Sequence, residues 1–164
     1  MYHTEGIILK KVNVGESDAL IVLYTKDSGI MRALAKGIKK ENAKLKGHLE
    51  PLNWCSLGVV EGKNGERLTH ATALRQWPSI REDQQKLATA LYIGDLVARY
   101  FQPGEKDASF WSILSGSFTV LEKSIFTPQT MRLFLTEFEK KLLENAGFSG
   151  GNISTLGLSI ERPF

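Results

Sequence analysis

Apolar and polar positions change their period near residue 78. Before that point, runs rich in Ile, Leu, Val or Thr lie near residues 4–12, 18–25, 30–38, 53–60 and 67–75. Turn formers separate them: Asn13 and Gly15, Asp27 to Gly29, and Gly62 to Gly65. Short runs punctuated in this way predict strands. In the third run Met31, Ala33, Ala35 and Gly37 share one face, and Arg32, Leu34 and Lys36 share the other, the alternation that a pleated strand imposes. Five short strands in so little chain predict a closed or nearly closed small barrel, with small residues inward and basic residues outward.

After Trp77 and Pro78 the pattern turns helical. Ser79 and Glu82 have capping-box spacing, and Leu87, Ala90, Leu91, Gly94, Ala98 and Phe101 follow on one face. These residues predict one long helix, ended by Pro103 and Gly104. A second helix is expected from about 108 to 122 with Phe110, Leu114 and Leu121 inward. Thr127 as N-cap and Pro128 at the first helical position start a third. Its core stripe is Met131, Phe134, Leu135, Phe138 and Leu142, and Gly147 is its stop. The expected class is therefore α+β: a barrel over residues 1–78, a helical bundle over 79–148 and an irregular tail over 149–164.

Charge sharpens this division. The net charge is +3 over 164 residues, yet residues 1–80 carry +4 and residues 81–164 carry −1. The basic excess concentrates in Lys36, Lys39, Lys40, Lys44 and Lys46, and the connection from 39 to 52 is the longest in the β half. A basic rim on a small barrel points to a polyanion, with nucleic acid the leading candidate. Lys10, Lys11 and Arg32 would extend the patch from adjacent strands, and Tyr24 or Trp54 could offer a stacking surface. Trp77 and Trp111 are expected in the core.

Other chemistries find little support. Neither GxxxxGK[ST] nor GxGxxG occurs, and the glycine-rich stretch Gly58 to Gly65 reads as a hairpin loop. Cys55 reads as a buried thiol, and His3, His48 and His70 lack zinc spacing, so no metal or cofactor is expected. Glu16 with Asp18, Glu82 with Asp83, and Glu137 with Glu139 read as turn, helix-head and solvated-face carboxylates, which leaves no catalytic pair and predicts a non-enzyme. No apolar run approaches the roughly 18 residues that span a bilayer, and MYHTEGIILKK lacks the pattern of a leader peptide. No membrane partner is expected, and the default address is cytoplasmic.

The strings TEGIILKK, GESD, Thr25 to Gly29 (T-x-x-x-G) and Ala35 to Gly37 (A-K-G) with a basic loop after them resemble the start of bacterial RecO recombination mediators. The likeness runs on through Leu49-Glu50-Pro51, Ile80 with Arg81 and Asp83, Tyr92 with Asp95-Leu96-Val97, Phe138-Glu139 to Leu142-Leu143, and Gly147-Phe148. It implies an N-terminal five-stranded OB-fold barrel followed by an α-helical domain, and a non-enzymatic role in DNA repair and recombination at the bacterial nucleoid. It further implies binding of single- and double-stranded DNA and annealing of complementary strands. The implied partners are RecR, with which such proteins load RecA, and the C-terminal tail of single-stranded-DNA-binding protein. The DNA contacts carried over are Lys10, Lys11, Arg32, Lys36, Lys39, Lys40, Lys44 and Lys46. The family's four-cysteine zinc region is not carried over, since the chain stops 16 residues after Phe148, as a naturally short form or as a fragment. An RNA-binding OB module and a protein adaptor that binds no nucleic acid are the alternatives.

Overall fold

A computed structural model describes residues 1–103, 107–148, 150–157 and 160–164. The strands are β1 (Tyr2–Val14), β2 (Asp18–Thr25), β3 (Gly29–Ala35), β4 (Trp54–Gly62) and β5 (Gly65–Arg75). The helices are α1 (Pro78–Glu82), α2 (Gln84–Tyr100), α3 (Trp111–Lys123) and α4 (Pro128–Asn145), with a 3-10 turn at Ile153–Leu156. The sheet closes in the order β1-β2-β3-β5-β4. Neighbouring strands are antiparallel except β3 and β5, which run parallel at Ala33↔Glu66 and Leu34↔Arg67. This is the expected OB-type barrel followed by helices, and closure removes the free strand edges that an open sheet would expose.

The barrel interior holds Ile8, Ile21, Leu23, Met31, Leu57, Val59 and Leu68, with Ala19, Ala33 and Ala35 where space is tight. Its outer wall is buried too at one end. Ile7, Leu9, Val22, Tyr24 and Ile30 point outward into a second core shared with Leu96, Phe101, Phe110, Trp111, Leu114 and Phe118 of the helical half. A bulge between Ile8 and Lys10 redirects β1 there, the usual effect of one extra residue in a strand.

The junction has a physical explanation in the Thr25 to Gly29 string. The Thr25 hydroxyl donates to Gly29 O at 2.8 Å and accepts from Ser28 N at 3.1 Å, which closes the β2–β3 turn. Gly29 lies at φ 70°, and a Cβ there would come within 2.1 Å of the Asp107 carbonyl. Only glycine permits both that backbone and that approach. Tyr24 completes the seam: its hydroxyl donates to Asp107 O at 2.7 Å and accepts from Phe110 N at 3.2 Å.

Two helical expectations need correction. The chain breaks at Asp83 instead of running as one helix, because Asp83 is extended and its carboxylate caps α2 through Gln85 N and Lys86 N. Ser79 is not a cap. Glu122 on α3 supplies the acceptors for α1, taking Ser79 N at 3.0 Å and Ile80 N at 2.9 Å. Helix α2 ends at Tyr100, before Pro103, and Gly104 lies outside the described residues. Thr127 and Pro128 open α4 as expected. Gly147, at φ 84°, ends it: Gly147 N reaches Glu144 O and Phe148 N reaches Leu143 O, which is a Schellman motif. Among the described residues no helix is long and apolar enough to cross a membrane.

Candidate nucleic-acid interface

Away from the helices, the outer wall of β1, β2 and β3 is open. Cross-strand register aligns its outward positions in rows. Lys10, Val22 and Arg32 form the row that borders the helices, with Val22 buried against them, and Val12, Leu20 and Leu34 form the next, extended by Arg67 on β5. Val12 is 49% exposed, Leu20 and Leu34 are half-buried, and Arg32 and Arg67 are exposed. Val14 stands opposite Asp18 one row further on, beside exposed Lys36. Short aliphatic side chains flanked by Arg32, Lys36 and Arg67 offer apolar contact surface with cations at its margin. Arg67 was missed from the sequence, since the parallel β3–β5 pairing that brings it to Leu34 joins strands about 30 residues apart and leaves no local signal.

The segment after β3 climbs through successive three-residue turns, with Lys40 N bonded to Gly37 O, Ala43 N to Lys40 O and Lys46 N to Ala43 O, each at 3.1 Å. It is pinned to the barrel mouth by Ile38 and Leu49, both in the interior core, with Leu45 packed against them. Asn53 holds its far end by donating to His48 O at 2.9 Å. With the apolar positions turned inward, Lys36, Lys39, Lys40, Lys44 and Lys46 all lie exposed. Lys39 also spans to the β1–β2 turn, through Lys39 N to Ser17 O at 3.0 Å and Lys39 Nζ to Gly15 O at 3.1 Å.

At the centre of this group is an acid. Asp18 Oδ1 accepts from Gly37 N at 2.8 Å and from the Ser17 hydroxyl at 3.2 Å. The Gly37 N–H foremost, with the Ser17 hydroxyl and the Lys36 and Lys40 ammonium groups, holds its carboxyl below the ordinary carboxylate range. Lys36 and Lys40 therefore flank one carboxylate at the head of β2.

The eight basic candidates do not form one uniform patch. Lys10 Nζ stands 2.6 Å from Asp95 on α2, a carboxylate that Arg99 also approaches at 3.4 Å. Lys11 is opposite Ile21, an interior position, so it projects to the other side of the sheet from Lys10. It lies 2.7 Å from Glu50 with only 22% of its side chain exposed. Both lysines join elements of the protein. Arg32 and the five lysines from 36 to 46 carry the open surface.

The stacking candidates need correction. Tyr24 is fully buried, and burial pushes its phenol up to about 12. Trp54 is half-buried and committed: Nε1 donates to Glu5 Oε2 at 2.9 Å, its ring meets Trp111 edge-on at 5.2 Å, and Arg75 lies over it. Trp77 and Trp111 are core residues as expected. Glu139, expected on a solvated face, is 8% exposed and takes hydrogen bonds from Tyr92 and Arg162. Arg162 thus ties the tail to α4. Cys55 is buried, and burial raises its thiol to about 12. Among the described residues no group of three or more His, Cys, Asp and Glu side chains is placed to hold a metal.

Residues 1–77 match the family model described as "Recombination protein O N terminal". Proteins named DNA repair protein RecO align over most of the chain. The one from Dehalococcoides mccartyi is 33% identical over 149 residues, covering 90% of this chain and 56% of its own length. The one from Gloeothece citriformis is 29% identical over 146 residues, 89% of this chain and 51% of its own. The one from Gloeobacter violaceus is 31% identical over 113 residues, 69% of this chain and 43% of its own. The chain spans about half the length of the curated relatives it matches.

Proposed function

From the match of residues 1–77 to the RecO N-terminal family model and the likeness of the chain to proteins named DNA repair protein RecO, we propose that it is a RecO-type DNA-binding mediator of repair and recombination whose contact surface is the open outer wall of the barrel. One observation carries the reading: Arg32, Lys36, Lys39, Lys40, Lys44 and Lys46 are all exposed, on β3 and on the loop pinned to its end. Arg67 adjoins them through the register of β5. Phosphates are the ligand that such an array suits, and phosphate contacts carry no sequence information. Single- and double-stranded DNA are both substrates in this reading.

Screening of phosphate charge lowers repulsion between complementary strands, and a surface that holds the backbone leaves base edges free to pair. Annealing on this wall needs no nucleotide hydrolysis. The division of labour follows: residues 1–78 hold DNA, and residues 79–148 face protein partners. Those partners are RecR, with which the protein helps RecA load, and the C-terminal tail of single-stranded-DNA-binding protein at the bacterial nucleoid.

The test is annealing of two complementary labelled oligonucleotides, with and without single-strand-binding protein on the DNA, beside a matched RNA competitor. Faster annealing that persists on coated DNA and resists RNA competition supports the reading. Preferential loss to RNA moves the site to an RNA-binding role, and absence of any annealing or binding removes DNA from the account.

A further inference from the structure

An acid in the middle of a surface that attracts a polyanion works against attraction, so its presence calls for a positional reason. Asp18 has one. Apart from the bond from Lys39 Nζ to Gly15 O in the preceding turn, the segment carrying Lys36, Lys39 and Lys40 is joined to the head of β2 by two hydrogen bonds: Lys39 N donates to Ser17 O, and Gly37 N donates to Asp18 Oδ1. The first is backbone and independent of side-chain identity. The second depends wholly on Asp18, and it holds the N–H of the residue between Lys36 and Ile38, where Gly37 sits at φ 66° and the strand gives way to the first turn of the loop.

Resting on the DNA-binding reading above, we propose that Asp18 is the positioning residue of the basic surface. Its carboxylate fixes the Gly37 turn so that Lys36 and Lys40 project from one place, and its negative charge holds their affinity for phosphate below what the lysines alone would give. Two effects of opposite sign thus sit on one side chain, and two variants separate them. Asp18→Asn keeps an oxygen that can accept from Gly37 N and removes the charge. Asp18→Ala removes both.

The experiment measures oligonucleotide affinity and the exchange rate of the Gly37 amide in the parent, Asp18→Asn and Asp18→Ala. Asp18→Asn is expected to bind about threefold tighter than the parent, the scale of one solvent-screened charge. Asp18→Ala is expected to bind at least about threefold more weakly than Asp18→Asn, the scale of one lost hydrogen bond, with the Gly37 amide protected in the Asn variant and released in the Ala variant. Equal affinities for the two variants overturn the positioning role, and an Asn variant no tighter than the parent overturns the charge role. Should the parent bind no oligonucleotide at low salt, the DNA reading itself has failed. Gly37 exchange then decides the positional claim by itself, and protection unchanged in Asp18→Ala overturns it.

Discussion

The outer wall of the barrel has two ends built from the same three strands and the same pleat. At one end Ile7, Leu9, Tyr24 and Ile30 lie under α2, α3 and the segment before α3. At the other, Val12, Leu20, Leu34, Arg32 and Lys36 face solvent. Strand geometry does not distinguish them; what lies outside the wall does. A strand covered on both faces reads as a continuous apolar run, and one covered on a single face alternates. Ile7-Ile8-Leu9 and Ile21-Val22-Leu23-Tyr24 are of the first kind, and Met31-Arg32-Ala33-Leu34-Ala35-Lys36 is of the second. The same element is thus covered by helices at one end and open to solvent at the other.

The largest effect should come from the covered end. Phe110 is fully buried between Phe101 and Phe138, so Phe110→Ala is expected to cost about 3–5 kcal/mol in denaturant unfolding. Leu34→Ala at the open end should cost under about 1 kcal/mol. Equal costs would break the distinction between the two ends. Gly29→Ala comes next: a Cβ placed 2.1 Å from the Asp107 carbonyl at a positive φ should destabilise by about 2 kcal/mol and loosen the β2–β3 turn from the helices. An unfolding midpoint equal to the parent's would show that the seam does not depend on that approach.

Acid should act on both ends through two carboxylates. Asp18 is held low by Gly37 N–H, the Ser17 hydroxyl and its lysines, and Asp107 by the hydroxyl and N–H of Ser109. A carboxyl depressed in the folded state contributes stability that is fully present above its unfolded pKa, near 3.9, and is lost as pH falls through the folded value. Unfolding midpoints should therefore be flat above about pH 5 for these groups and fall in more acid solution. Asp18→Asn should remove its share of that fall. The smallest effect is at Cys55. With its thiol at about 12 and buried, the folded protein should stay unmodified by a thiol reagent at pH 8 and react once unfolded; rapid labelling of native protein would show that the barrel opens.

Much of this architecture is legible in the sequence, for reasons visible in particular residues. Alternation in β3, turn formers between strands, and Thr127-Pro128 with Gly147 around α4 are local signals, and the structure follows them. What failed was tertiary. Tyr24 looked available for stacking because nothing local says that α2 and α3 cover its face. Strand alternation puts Lys10 and Lys11 on opposite sides, but which of them faces α2 is set by the bulge at Leu9, which depends on the partner strand. Ser79 and Glu82 had the right spacing for a cap, yet Asp83 and the distant Glu122 took over that role. Glu139 looked solvated until Tyr92 and Arg162 converged on it from α2 and the tail. At the basic surface the residue types were readable, while Arg67 and the place of Asp18 required strand pairing and loop geometry.

In the proposed function, the open end of the wall holds DNA by its phosphates. The most direct measurement is the affinity of a labelled single-stranded oligonucleotide across a salt series, for the parent and for a Lys36→Ala, Lys40→Ala variant. With about four phosphates contacted, log affinity against log salt should have a slope of about −3 in the parent, and the variant should lose about 0.7 of slope per lysine with weaker binding to every sequence alike. A parent that does not bind at low salt, or a variant whose affinity and slope match the parent's, would contradict the account.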